Sequence, residues 1–148
     1  MEVVSLRAGG RHFGIAVAQV ERVFPLVDIA RLSGAPIPIR GIVNIRGVVT
    51  PVVDLGRRFE EAWTQLRLNQ RLIELRAPRC PLALLADAVD GVFVIDDAAL
   101  ANMKVLLPGA GVVTTIAATE DGLLYIYDVD ALLSATEEAA LAAVLPHD

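Results

Sequence analysis

Apolar residues in this chain recur mostly at alternate positions or in short runs of β-branched residues, and seldom at helical spacing. These are the patterns of strands buried on one face or on both. Residues 2–7 (EVVSLR) and 11–17 (RHFGIAV) flank Gly9-Gly10 and read as a hairpin. Residues 39–45 (IRGIVNI) and 48–54 (VVTPVVD) flank Arg46-Gly47, a second tight connection. Pro51 lacks the N–H of a ladder hydrogen bond and places its strand at an edge or a bulge. Residues 68–76 (LNQRLIELR) and 82–86 (LALLA) flank a loop at 77–81, and 111–118 and 122–128 flank Glu120-Asp121-Gly122. Asp-Gly is a hairpin signal. Helical patterns are confined to 58–66, 97–103 and the C-terminus. There Ser134 and Glu137 have capping-box spacing, and Leu133, Ala140, Leu141, Val144 and Leu145 form a stripe that Pro146 ends.

The chain also resembles itself. Residues 13–24 (FGIAVAQVERVF) align with 82–93 (LALLADAVDGVF), so that Val20, Val23 and Phe24 fall on Val89, Val92 and Phe93, and Glu21 falls on Asp90. Each copy continues to a glycine-containing hairpin and an apolar strand ending in an acid, RGVVTPVVDL (46–55) and DGLLYIYDVDALL (121–133). The repeat predicts two small antiparallel barrels in tandem, each too small to stand alone and so packed on a shared core. Val20, Val23, Val89 and Val92 are then expected to face inward near the junction. Residues 1–148 form one domain in this reading, with the sequence boundary near 77–81.

Composition narrows the class. The 148 residues are 55% hydrophobic and 21% charged, with a mean hydropathy of +0.56. That is enough chain to bury a core without a disulfide or a structural metal. The single cysteine, Cys80, permits neither a disulfide framework nor a cysteine-based zinc site. The most apolar stretch, 82–95, is interrupted by Asp87, Asp90 and Gly91, short of the ~20 apolar residues of a membrane helix. No signal-peptide pattern opens the chain, so a soluble, reduced, cytoplasmic protein is expected. The net charge of −5 conceals an asymmetry: residues 1–79 carry twelve arginines against seven acids, and residues 80–148 carry Lys104 against eleven acids. The arginines are scattered and aromatics are few, which argues against a nucleic-acid groove. Two faces of opposite sign suit a polar module that docks on other proteins in a fixed orientation.

Reactive groups do not converge. His12 reads as a strand residue and His147 lies beside the C-terminus, with no acid or cysteine at metal-ligand spacing. Cys80 has no assigned base. Gly109-Ala110-Gly111 is not followed by the Lys-Ser/Thr of a phosphate loop. Asp54 and Asp128 or Asp130 end related strands, and two such carboxylates could share a proton as in aspartic proteases. The Asp-Thr/Ser-Gly sequence of those enzymes is missing, since Leu55-Gly56 follows Asp54. A small β-barrel hydrolase or ligand-binding module built on these carboxylates is the alternative reading. The main one has no catalytic residue, no metal and no cofactor.

The most specific segment is 34–59, GAPIPIRGIVNIRGVVTPVVDLGRRF. Gly41 and Gly47 allow backbone geometry that side chains forbid. Asn44 can hold the turn through neighbouring backbone, and Arg46 projects a planar five-donor group from the tip. Ala35, Pro36, Gly41, Asn44, Arg46, Gly47, Pro51, Asp54 and Leu55 match an Ala-Pro, Gly-x-x-Asn-x-Arg-Gly, Pro-x-x-Asp-Leu pattern. In this the chain resembles the CheW-like family, the coupling proteins of bacterial chemotaxis and the related regulatory domain of CheA histidine kinases. FGIAVAQVERV (13–23), ADAVDGV (86–92) and 122–133 are similar to further family segments, so the resemblance covers almost the whole chain. It implies an all-β fold of two small five-stranded SH3-like barrels on a shared core, with short helices including one at the C-terminus. It implies a non-enzymatic adaptor, which joins the cytoplasmic tips of methyl-accepting chemoreceptors to the regulatory domain of a CheA-type histidine kinase without entering the membrane itself. By position, Asn44, Arg46 and Gly47 fall in the receptor-facing hairpin, and Val20, Glu21, Arg22 and Val23 in the kinase-facing strand. The family usually carries an acid where this chain has Arg22, with the acid here one place earlier at Glu21. Arg22 is therefore expected to meet an acid on the kinase.

Overall fold

The structure, a computed structural model, describes residues 1–55, 66–77, 80–107, 111–120 and 122–145, with the backbone alone described over 99–107 and 111–114 and at 131. Its strands are β1 (Glu2–Ala8), β2 (Arg11–Ala16), β3 (Val20–Pro25), β4 (Ile39–Ile45), β5 (Val48–Asp54), β6 (Arg71–Leu75), β7 (Leu82–Ala86), β8 (Ala88–Val94), β9 (Leu100–Leu107), β10 (Gly111–Thr119) and β11 (Gly122–Ile126). Among the described residues one full α-helix, α1 (Ala135–Val144), follows. The strands form a sheet of six in the order β8-β1-β2-β11-β10-β9 and a sheet of five in the order β3-β6-β7-β5-β4.

The two sheets repeat one plan. In the five-stranded sheet β3 pairs antiparallel with β6, β6 with β7, and β5 with β4, while β5 and β7 run parallel. The larger sheet repeats this as β8 with β1, β1 with β2 and β10 with β11, with β11 and β2 parallel. Five strands correspond, and β9 adds a sixth outside β10. By place in this plan Val4-Ser5-Leu6-Arg7-Ala8 of β1 corresponds to Ile73-Glu74-Leu75-Arg76-Ala77 at β6, a stretch the sequence reading passed over. Segment 77–81 connects β6 to β7, which are neighbours in one sheet. After β2 the chain crosses sheets, placing β3 on the outside of the other; after β7 it crosses back, placing β8 on the outside of the first.

This exchange sets the core. Leu6, Phe13 and Ile15 of the larger sheet meet Ile39, Val53, Ile73, Leu75, Leu82 and Leu84 of the smaller one, and Tyr127, Val129, Leu132, Leu133 and Leu141 close the cluster. A second cluster (Val43, Ile45, Val52, Leu72, Ala83, Leu85) fills the other face of the smaller sheet, and a third (Val3, Ala117, Leu124, Ile126) that of the larger. Strand β7 is fully buried because alternate residues feed two cores: Leu82, Leu84 and Ala86 one, Ala83 and Leu85 the other. A continuous apolar run is what such a strand requires.

Several expectations change. Val20 and Val89 do pack against the central cluster. Val23 is 40% exposed and Val92 59%, because alternation on an outer strand turns every second residue away from the core. Of the helix expected over 97–103, only a 3-10 turn at Asp97–Ala99 forms, held by the Ala98 N–H donating to Asp96 Oδ1 (3.0 Å). From Leu100 on, pairing with β10 overrides the local helix propensity. In α1 the capping box between Ser134 and Glu137 forms as expected; of the stripe, Leu133 and Leu141 are buried, Val144 and Leu145 half-buried, and Ala140 faces solvent. The helix expected over 58–66 lies, but for Leu66, outside the described residues, as do Pro146 and His147.

Candidate functional site

The β4–β5 hairpin is closed by two residues, Arg46 and Gly47, between the paired Ile45 and Val48. Both have positive φ, 53° and 83°, the signature of the type I′ turn that fits the twist of antiparallel strands. Glycine adopts this geometry freely; an arginine pays about 1 kcal/mol for it. Arg46 is the one non-glycine residue with positive φ among the described residues. Asn44 offsets part of the cost, its Oδ1 accepting the Gly47 N–H at 2.7 Å, as the sequence suggested. Asn44, Arg46, Gly47, Val48 and Val49 are all exposed. The strain therefore holds a guanidinium at the outermost point of a stiff hairpin.

Strand β3 alternates, with Val20, Arg22 and Phe24 half-buried and Glu21, Val23 and Pro25 exposed. Arg22 lies opposite Glu74 in the β3–β6 register, its Nε 3.3 Å from Glu74 Oε2. The Arg22 charge is thus answered within the chain, a pairing that sequence reading missed. Glu21 accepts a hydrogen bond from Arg76 Nε. That bond, then the Arg76 charge, with lesser help from Arg22 and Arg46, holds the Glu21 carboxyl below its ordinary value of 4.5. The larger sheet repeats this pair, with Arg7 Nε 3.2 Å from Asp90 Oδ2, so each outer strand is tied to its inner neighbour by an arginine from the LRA segment. Glu21, Arg46, Val48, Glu74, Arg76 and Cys80 line a groove of about 500 Å³, which joins the hairpin tip to β3.

The other candidate groups are separated. Asp54 pairs with Arg40 Nη1 at 3.5 Å. Asp128 caps the 3-10 turn Val129–Ala131, its Oδ1 accepting the Asp130 N–H. No described cavity contains Asp54 with Asp128 or Asp130. A Ser-His-Asp set does assemble across β1, β2 and β8: Ser5 Oγ lies 2.5 Å and Asp90 Oδ2 3.3 Å from His12 Nε2. Both contact the same ring nitrogen, whereas a catalytic relay uses the two nitrogens separately, and Ser5 is 1% exposed. This set fastens β8 to β1 and β2. Among the described residues no three His, Cys, Asp or Glu converge to hold a metal ion, and no helix is long and apolar enough to cross a membrane.

Residues 2–137 match the family model of the CheW-like domain. The chain belongs to the CheW-like family. It is 24% identical over 140 residues to the chemotaxis protein CheW of Klebsiella aerogenes, covering 93% of this chain and 84% of that one. With the chemotaxis protein CheW of Bacillus subtilis it shares 25% over 145 residues, 97% of this chain and 92% of that one. The crystal structure of the scaffolding protein TtCheW from Thermoanaerobacter tengcongensis superposes with a TM-score of 0.80 at 26% identity, over 92% of this chain and 94% of that one. The fold is accordingly the family's pair of SH3-like barrels, with β9 extending one of them.

Proposed function

We propose that this chain is a non-enzymatic adaptor in a bacterial chemosensory pathway, working in the cytoplasm to couple chemoreceptor tips to a CheA-type histidine kinase. The β4–β5 hairpin, through Asn44, Arg46 and Gly47, faces the receptor helices; β3, through Val20, Glu21 and Val23, faces the kinase regulatory domain. The observation that carries the reading is Arg46, kept at φ 53° where asparagine or glycine would relieve the turn. Backbone strain that the fold would be better without points to a use outside the fold. Arg22, already paired with Glu74, contributes to the β3 surface with its charge largely answered, so the kinase contact rests more on Glu21 and Val23 than on an arginine seeking an acid.

The test is Arg46→Asn, which leaves a turn of Asn-Gly type. Removing the strain should raise stability by about 0.5–1 kcal/mol, or roughly 2–4 °C in Tm. Receptor-tip binding should weaken at least tenfold in the same variant. Unchanged affinity would remove Arg46 from the receptor interface and with it the basis of this assignment.

A further inference from the structure

Where the chain passes from one sheet to the other, two turns come together. One is Gly9-Gly10, between β1 and β2; the other is Arg67-Leu68-Asn69-Gln70, just before β6. Asp87 joins them: its Oδ1 lies 3.1 Å from Arg67 Nη2, and its Oδ2 accepts the Gly9 N–H at 3.1 Å. The second turn is fastened by its own residues. The Gln70 N–H donates to the Arg67 carbonyl (3.0 Å) and the Arg67 N–H to Gln70 Oε1 (2.7 Å). Arg71 Nη1 donates to the carbonyls of Asn69 (3.1 Å) and Gln70 (3.0 Å). At the tip Leu68 is 95% exposed, the highest value of any large apolar residue among those described. A lone exposed leucine is ordinary on a protein surface. One whose backbone is fixed by a buried glutamine and an arginine is presented, with little ordering entropy left to lose on binding.

Beside this turn the surface has depth and charge. The walls of a cavity of about 670 Å³ include Arg7, Arg11, His12, Asp87, Leu123 and Tyr125, and Leu123 is half exposed. Arg7 faces Asp90, Arg67 faces Asp87, and Arg71 lies opposite Ala86, next to Asp87. Arg7, Arg11, Arg67 and Arg71 thus stand against Asp87 and Asp90, an excess of positive charge on a chain whose net charge is −5. Such a face attracts an anionic partner that the molecule as a whole repels. It is also remote from the hairpin groove. Arg71 opens β6, and Arg76, which lines that groove, follows its end, roughly 16 Å further along the strand. We propose that this face is a third docking surface, and that its occupant is an acidic segment of a partner protein carrying apolar side chains. The acids meet the arginines, and an apolar side chain enters the cavity against Leu123 and Tyr125 with Leu68 packed beside it. This adds a partner to the two of the adaptor reading and depends on neither.

The probe is a synthetic peptide of four Glu-Leu-Glu-Phe repeats, added to the isotope-labelled chain and followed by amide NMR shifts. The amides that move should be those of Gly9, Gly10, Leu68, Asn69, Asp87 and Leu123, and added salt should weaken the binding. Leu68→Ser should lower affinity at least fivefold, as loss of an anchor does, and Leu68→Glu should abolish binding. Both variants should keep the wild-type Tm, because this side chain is almost wholly in solvent. A peptide that moves no amide at millimolar concentration overturns the proposal, and so does one whose shifts centre on Glu21 and Arg46. Undiminished binding by Leu68→Ser overturns it too, as does equal affinity for poly-glutamate of the same length; either would reduce the face to bare charge. Phosphatidylglycerol vesicles that bind the wild type while the peptide does not would overturn it in favour of a lipid surface. Neither receptor nor kinase is present, so the outcome leaves the adaptor reading as it stands.

Discussion

At the scale of single residues, two conformational choices define the site. Arg46 takes a left-handed backbone at the hairpin tip, and Asn44 gives its side-chain oxygen to the turn. Glu21 illustrates how charge is handled next door. Its folded-state pKa is depressed by Arg76, so the pair contributes stability above the unfolded glutamate pKa of about 4.3. That contribution is lost as pH falls through the depressed folded value. Glu21→Gln should therefore lower the Tm slightly at pH 7, and the difference from wild type should shrink to nothing in acid. A gap that persists unchanged below pH 3 would show that the carboxylate charge is not what Glu21 supplies.

At the scale of elements, the crossover between β7 and β8 is held by one side chain. Asp87 Oδ1 accepts from Gln70 Nε2 at 3.0 Å and lies 3.1 Å from Arg67 Nη2, while its Oδ2 accepts the Gly9 N–H at 3.1 Å. Gln70 precedes β6 in one sheet and Gly9 joins β1 to β2 in the other, so Asp87 clasps the two sheets where the chain passes between them. Gln70 is 2% exposed; Asp87→Ala would leave its amide without that acceptor, a loss of roughly 2 kcal/mol. A chemical-denaturation curve checks this, and a change below about 0.5 kcal/mol would show that the clasp is dispensable.

Strands of this kind were legible in the sequence wherever alternation and turn chemistry agreed. The bounds of β4, β5 and β7 come directly from the pattern, and Arg46-Gly47 marks the tightest turn. What escaped the pattern depends on contacts distant in sequence. Strand β9 forms because β10 is there to pair with it. The Arg22–Glu74 pair follows from β3 lying beside β6, with the two residues 52 apart in the chain. Both the Val23 and Val92 expectations failed for one reason: a repeat says that two positions are equivalent, but not which face of an outer strand they occupy.

At the scale of the whole molecule, the two halves of the sequence are interlocked rather than juxtaposed. Residues 1–79 alone would lack β7, which lies between β6 and β5, and would leave β1 and β2 without β8 and β11. Expressed alone, that fragment should aggregate or melt without cooperativity, since it cannot bury its apolar faces. A soluble fragment with a sharp thermal transition would contradict the interlocked plan. Interlocking has a functional consequence under the adaptor reading: hairpin tip and β3 belong to one rigid sheet and share the groove lined by Glu21 and Arg46. An adaptor must hold both partners at once despite that proximity. The decisive measurement is the affinity for a receptor tip, by calorimetry, with and without a saturating kinase regulatory domain. The account predicts that the kinase domain leaves receptor affinity within about threefold and that light scattering gives the mass of a ternary complex. Displacement of one partner by the other would contradict it.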